Sequence, residues 1–343
     1  MTDAANADIE VGVYFDLRNP RQWRQDPARL YSFTLEACEE AERLGAHSAW
    51  FTEHHLFDDD YMTSPLTFAA AVAARTRQIR LGTAVVVAPL HHPAEIAEQS
   101  VAVDLISDGR LDLGLGAGYR VPEYNLFNAQ IERRYTTTDA MAGRLRELWG
   151  PGGVRPRPVQ DRIPIWQGPQ GARRAGLLGE RLLSANSDLW TPYSQGLLDG
   201  GHSVSAGTMA GVVQAWVTDD PDRDLSVVSM HLAHQLDTYR RHMVEGTGQP
   251  VPRPVDPDRI LARDSRGPLD YFFYGTPEQV AVRIQGLVGA APVKTVLLWA
   301  SLAGMAEEAV IENIRTICTR LAPLLKSQSA SVSTWQEDAI SDL

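Results

Sequence analysis

The sequence predicts an α/β fold, a single closed (β/α)8 barrel of the TIM type with an insertion before its last strand. Three observations carry that expectation. Eight short apolar runs, rich in β-branched residues, are spread along 343 residues, and most are followed by a helical pattern. The clearest break, the Gly/Pro/Arg-rich residues 150–158, falls between the fourth and fifth runs, so it does not divide the chain into two domains. Polar residues gather where strands end, above all Glu53-His54-His55, and chemistry in parallel barrels sits at the carboxyl ends of strands. A doubly wound open sheet is the second arrangement compatible with this alternation.

Strand one is read at 11–15 and is followed by a polar loop, 16–26. Helix one, 27–44, has Pro27 at its start and Gly45 just past its end, the usual asymmetry of helix termini. Strand two is the stretch from Ser48 that delivers Glu53-His54-His55. Helix two spans 65–76, and strand three, 79–87, holds the run Ala84-Val85-Val86-Val87 expected of a buried parallel strand. Helix three is 93–106, and strand four, 110–115, opens into Gly116-Ala117-Gly118-Tyr119-Arg120, where Pro122 argues against an immediate helix. A helix at 137–148 precedes strand five, 163–167, then a helix at 172–179, strand six at 181–185 and strand seven at 212–217.

From 219 to 269 the periodicity falters: one helix, 225–244, is followed by a Pro-rich excursion, and the segment reads as a lid or insertion. Thr276-Pro277-Glu278 starts a helix, strand eight is 295–299, and a last helix covers 306–324. Residues 1–326 form one barrel domain in this reading, and 327–343 a polar, flexible tail.

A formal net charge of -11 argues against a nucleic-acid partner, because phosphate backbones need clustered cations. The two cysteines, Cys38 and Cys318, lie in helical patterns and suit free thiols in a reducing compartment. No apolar run approaches a membrane span, and the first eight residues lack the features of a secretion signal, so the expected location is the cytoplasm. Lys294 and Lys326 are the only lysines among 32 basic residues, which reads as the codon bias of a high-GC bacterium.

Gly114, Gly116 and Gly118 resemble a dinucleotide fingerprint only superficially, since a Rossmann turn opens directly into a helix. The glycines are read as sites where a flat ligand approaches the backbone. Gly168-Pro169-Gln170-Gly171-Ala172-Arg173-Arg174 turns into a helix with two arginines in its first turn, where cations oppose the helix dipole, and a phosphate would offset that. Metal ligands are not assigned: the pairs His54-His55 and His91-His92 cannot readily both ligate one ion, and no HxH or HExxH spacing occurs. No G-x-S-x-G elbow supports a hydrolase. Successive side chains of an extended segment point to opposite sides, so His54 is taken to face the barrel mouth and His55 to support it from behind.

Taken in order, these segments resemble the bacterial luciferase-like flavin monooxygenase superfamily. The resemblance lies in Trp50 to His55, Leu81-Gly82-Thr83-Ala84-Val85-Val86, Asp108-Gly109-Arg110-Leu111 through Tyr119, Pro164 to Arg181, and Gly275-Thr276-Pro277-Glu278. It implies a reduced FMN co-substrate delivered by a separate flavin reductase, and transfer of an oxygen atom from O2 to a small organic substrate through a flavin C4a-(hydro)peroxide. It implies His54 as the catalytic residue, a non-proline cis peptide at Ala84–Val85 under the flavin ring, and a phosphate loop at Gln170, Gly171 and Arg174. Bacterial luciferase carries Arg where this chain has Ala117 and Glu where it has Gln170, so Arg174 is expected to supply the missing charge. Tyr14, Gly118 and Tyr119 are further cofactor contacts in this reading, with Phe57 and Trp299 as walls of the substrate pocket. The resemblance also implies a homodimer through helices two and three. Two other functions stay open: an F420-dependent reductase or dehydrogenase on the same barrel, and a non-catalytic flavin-binding subunit.

Overall fold

The first strand, β1 (Glu10–Phe15), has five buried residues of six and is flanked on both sides by parallel neighbours, as a run of Val and aromatic residues favours. The computed structural model describes residues 8–262, 269 and 271–326. Around β1 the sheet continues through β2 (Ser48–Phe51), β3 (Arg80–Thr83), β4 (Val86–Val87), β5 (Leu111–Gly116), β6 (Ile165–Gln167), β7 (Arg181–Leu183), β8 (Met209–Val213) and, after two strands of a second sheet, β11 (Val293–Trp299). The order is β3-β2-β1-β11-β8-β7-β6-β5-β4, and β3 also pairs with β5, which closes the ring. All its pairings are parallel. β3 and β4 are two pieces of one barrel position, separated by the cis Ala84–Val85 peptide, so the continuous third strand expected at 79–87 is corrected to two short segments. The barrel has eight positions, as the alternation of apolar runs implied.

Strand seven is also corrected. The chain leaves the barrel after β8, and β9 (Ala215–Val217) pairs with β10 (Phe273–Gly275) in a separate two-stranded sheet. Gln214 is the pivot: its carbonyl accepts from Phe273 N at 2.7 Å and its side-chain oxygen from Trp299 Nε1 at 2.8 Å. β10 was invisible as a run of only three residues.

The helices around the sheet are α1 (Pro27–Arg43), α2 (Pro65–Arg75), α3 (Pro93–Ser107), α4 (Val121–Leu126), α5 (Arg134–Trp149), α6 (Ala172–Leu177), α7 (Trp190–Asp199), α8 (Pro221–Val244), α9 (Pro257–Leu261), α10 (Pro277–Val288) and α11 (Glu307–Thr316), the last running on through a π turn, Ile317–Leu321. Proline opens many of them because the first-turn N–H needs no intrahelical partner. The same reason explains α4: Pro122 lies in its first turn and starts the helix it was expected to exclude. α8 begins four residues before the expected start, where Asp220 accepts from Arg223 N and Pro221 follows. α7 lies between the expected strands six and seven, where no element was assigned. The 219–269 segment therefore contains a 24-residue helix and the short α9; residues 263–268 and the 327–343 tail lie outside the described residues.

Inside the barrel, the indoles of Trp50 and Trp166 meet edge-to-face at 5.9 Å. Trp50 occupies the space a side chain at position 82 would need, since a Cβ there would stand 2.1 Å from its ring. Arg110, read only as the start of a strand, instead caps the end of α2. Its guanidinium donates to the carbonyls of Ala73, Thr76 and Ile79 at 2.6–3.1 Å, satisfying groups a helix terminus leaves open.

Candidate active site

At the carboxyl end of β2 the backbone leaves the sheet and presents Glu53, His54 and His55 in different directions. Glu53, buried, gathers three donors, Val87 N at 2.7 Å and His91 Nε2 at 2.6 Å from the neighbouring barrel position and His55 Nε2 at 2.9 Å from its own segment. Burial alone would raise the Glu53 pKa, yet the two imidazoles and the Val87 N–H hold it below the ordinary carboxylate range. Burial pushes the His91 pKa down, and the Glu53 carboxylate more than offsets this and raises it. His55 thus packs behind the site, with its ring against Phe127.

His54 faces the other way, into a cage of aromatic rings. Phe57 stacks on it at 4.6 Å, and Tyr61, Tyr119 and Tyr239 approach with centroids at 4.8, 5.3 and 6.1 Å. Its Nδ1 lies 2.8 Å from Oε1 of Glu123 on α4, and its Nε2 lies 3.3 Å from the Tyr119 hydroxyl. As a carboxylate Glu123 can only accept, which places the ring proton on Nδ1 and leaves Nε2 as the acceptor facing Tyr119. Glu123 is fully buried and also accepts from His55 N at 2.9 Å, so the turn and the imidazole are oriented by one side chain.

Beside the cage, β1 ends in Asp16-Leu17-Arg18, with Leu17 at a φ of 53°, a strained conformation for a branched side chain. Arg18 is wholly buried; its Nε lies 3.0 Å from Asp16 Oδ2 and its Nη1 3.4 Å from Asp59 Oδ2. Its guanidinium lies over the rings of Tyr239 and Tyr61, 4.2 and 4.6 Å from their centroids. Burial raises the Asp16 pKa to about 6 despite the Arg18 charge that lowers it. Asp59 is held below its usual range: burial raises it, but the bond from His234 and the Arg18 charge prevail. Asp16 and Arg18 stood in a loop read only as polar; the signal available was their position directly after a strand. Glu123 and Tyr239 gave no such signal, being 69 and 185 residues away from His54 in the chain.

α8 covers this end of the barrel. Tyr239 bonds Tyr61 at 2.9 Å, Arg241 pairs with Asp58 at 2.9 Å, and His231 and Gln235 bond the Ala303 backbone. Glu245, just past α8, pairs with Arg120 at 2.5 Å.

The remaining expected residues divide into two groups. Tyr14, on β1, donates to the Ala84 carbonyl at 3.0 Å. Ala84, Val85, Gly118 and Tyr119 are partly exposed, as is Gly168, at the ends of three adjacent barrel positions. Phe57 is in the cage. Trp299 is 1 % exposed and stacks edge-on behind Tyr14 at 4.3 Å, so it backs the wall instead of forming its surface. Gln170 is exposed and Gly171 partly so, at the loop before α6. Arg174 is already engaged: it pairs with Asp139 at 3.1 Å and lies over Tyr135. Arg173 pairs with Asp199 and points away from any shared site with it. Gly114 and Gly116 have a packing reason, because Cβ atoms there would stand 1.9 Å from the Thr83 carbonyl oxygen and 2.3 Å from Val85. The expectation that these two glycines admit a ligand is therefore corrected: neighbouring chain fills that space.

A closed parallel barrel with a buried imidazole, phenols and carboxylates converging at the carboxyl ends of its strands is the architecture of an enzyme. The sequence comparisons make the class particular. The profile of the luciferase-like monooxygenase family matches residues 10–292, and the chain belongs to that family of oxidoreductases. It is 37% identical over 127 residues to the oxygenase component of a flavin-dependent trigonelline monooxygenase of Acinetobacter baylyi, covering 36% of this chain and 33% of that protein. The match thus spans about a third of that relative's length. Among solved structures, the oxygenating constituent of 3,6-diketocamphane monooxygenase of Pseudomonas putida in complex with FMN has a TM-score of 0.71 at 18% identity, covering 92% of this chain and 99% of the other. An F420-dependent secondary alcohol dehydrogenase reaches 0.69 at 18% identity, covering 94% and 100%. At such identities these two likenesses show the fold.

Proposed function

We propose that this protein is the oxygenase of a two-component system: it takes reduced FMN from a separate flavin reductase and uses O2 to oxygenate a small organic substrate. The observation that carries this is His54, held between Glu123 and Tyr119 at the strand ends where residues 84–85 and 117–119 are partly exposed. The accessible stretch suits a flat ring lying across three strand ends, with Tyr14, Ala84, Val85, Gly118 and Tyr119 against it. Gln170, Gly171 and Arg174 would face its phosphate, with Arg174 exchanging part of its Asp139 contact for the anion. Reduced flavin, when bound, supplies the oxygen activation. The chain's own contribution is proton placement and exclusion of water. Glu123 fixes the proton on His54 Nδ1, so Nε2 can take a proton and return it at the same point, with Tyr119 holding that nitrogen in line. The aromatic cage and α8 keep the mouth dry, with α8 as the cover over it.

The test is rapid mixing of the protein with anaerobically reduced FMN and then with O2. An absorbance transient that outlasts reoxidation of free flavin supports the reading. Immediate return of the oxidised spectrum, together with tight binding of F420, would reassign the chain to hydride transfer, the reading kept second by the F420-dependent neighbour of the same fold. Retention of turnover by His54→Ala would favour a non-catalytic flavin-binding subunit. We further place the protein in the cytoplasm as a homodimer through α2 and α3, which pack side by side and leave Leu105 and Ile106 exposed on α3. A monomeric mass in solution would reject the dimer.

A further inference from the structure

The opposite end of the barrel carries a second concave site. Where the strands begin, a cavity of about 210 Å³ opens between Ser48, Arg80, Asp112, Arg181, Lys294 and Thr295. Ser48 opens β2, and His54 lies six positions further along the chain, roughly 20 Å if extended. The Trp50 and Trp166 indoles form the cavity floor and fill the barrel between the two ends.

The charge balance of this cavity is unlike that of the whole chain. Three cations, Arg80, Arg181 and Lys294, surround one carboxylate, Asp112. That carboxylate is already taken: Arg80 Nε donates to Oδ2 at 2.5 Å and Trp166 Nε1 to Oδ1 at 2.9 Å. Arg181 stands 3.5 Å from Oδ1 and over the Trp166 ring, and its guanidinium makes no hydrogen bond among the described residues. Lys294 has no ion pair among them. Burial lowers the Arg181 pKa, Asp112 raises it, and Arg80 lowers it again, as expected where positive charge is crowded. Ser48 accepts from Trp50 Nε1 at 2.8 Å, which leaves its hydroxyl proton to donate. A concave wall with a guanidinium held only by a 3.5 Å ion pair to Asp112, an ammonium without an ion pair among the described residues and a hydroxyl donor concentrates field for an anion.

We propose that this N-terminal basin binds a compact phosphate, free or as the phosphate group of a small monoester, with Arg181 and Lys294 as its principal donors and Ser48 in support. The proposal is independent of the flavin reading, since it concerns the far end of the barrel.

Isothermal titration of the full chain with inorganic phosphate in chloride buffer tests it, with phenyl phosphate as a second titrant. Saturable one-site binding is expected, weakened about tenfold or more by Lys294→Ala and by Arg181→Gln, each removing one charge-assisted donor. Arg21→Ala, on the exposed loop before α1, should bind like the parent. Tighter binding of phenyl phosphate would identify a monoester as the source, and tighter binding of inorganic phosphate the free ion; either ranking supports the site. Non-saturating heats would overturn it. So would saturable binding that persists in both variants, because the anion would then lie elsewhere. Lys294 is exposed, so Lys294→Ala should fold normally, and an unchanged melting curve confirms that its loss of binding is local.

Discussion

His54 Nδ1 lies 2.8 Å from Glu123 Oε1, joining the end of β2 to the helix that follows β5. The contact gives the imidazole one orientation and one tautomer, and it makes Glu123 a positioning residue for His54. His54→Ala should lower turnover by roughly 10²–10⁴-fold, the usual worth of a positioned acid–base group, while leaving flavin binding largely intact. Glu123→Gln should also lower turnover and should shift the pH profile assigned to His54, because an amide can donate to Nδ1 and favour the other tautomer. Steady-state rates against pH, with flavin affinity measured in parallel, check both; a Gln variant with the parental profile would remove Glu123 from the mechanism.

Arg18 neutralises two buried carboxylates, so its removal leaves uncompensated charge. Arg18→Met should destabilise the fold by roughly 3–5 kcal/mol, measured by urea denaturation. Asp16→Asn should cost less at neutral pH and gain in relative terms as pH rises. The folded-state pKa of Asp16 is raised to about 6, so its protonated form is favoured on folding, and the associated stability is present at low pH and lost as pH climbs through about 6. The Asn variant should lack that decline.

Glu53 and His91 set a window of opposite sense on its two sides. The lowered Glu53 pKa gives stability that is present above its ordinary 4.5 and lost as pH falls through the folded value. The raised His91 pKa gives stability that is present below its ordinary 6.5 and lost as pH rises through the folded value. Thermal melting against pH should therefore show this pair contributing most between these limits, and Glu53→Gln should flatten the profile there.

Two glycines make a matched test of packing. Gly82→Ala forces a Cβ against the buried Trp50 ring and should destabilise by about 1–3 kcal/mol or more. Gly143→Ala, in α5 with nothing within 4 Å of the added carbon, should stabilise by about 1 kcal/mol through helix propensity. Denaturant midpoints of the two variants, moving in opposite directions, are the expected result.

Much of the barrel was legible in the chain because its signals are local. β-branched runs mark buried parallel strands, Pro27, Pro65 and Pro277 mark helix starts, and Glu53-His54-His55 follows a strand directly. Local rules also explain the errors: Pro122 was read as excluding an immediate helix although a first turn accepts proline, and β9 was merged with β8 because a change of sheet at Gln214 leaves no mark in hydrophobicity.

By itself, then, the sequence determined an eight-position α/β barrel and the strand ends that carry its polar residues, and it singled out His54 as the candidate imidazole. Tertiary structure alone decided that Glu123 orients that imidazole, that Arg18 is buried between two aspartates and two tyrosines, and that Tyr239 of α8 covers them. The physical reason is that strand and helix periodicities are written within a few residues. Charge pairing and ring contact, in contrast, depend on distances between segments as far apart in the chain as Arg18 and Tyr239, which the closed barrel sets.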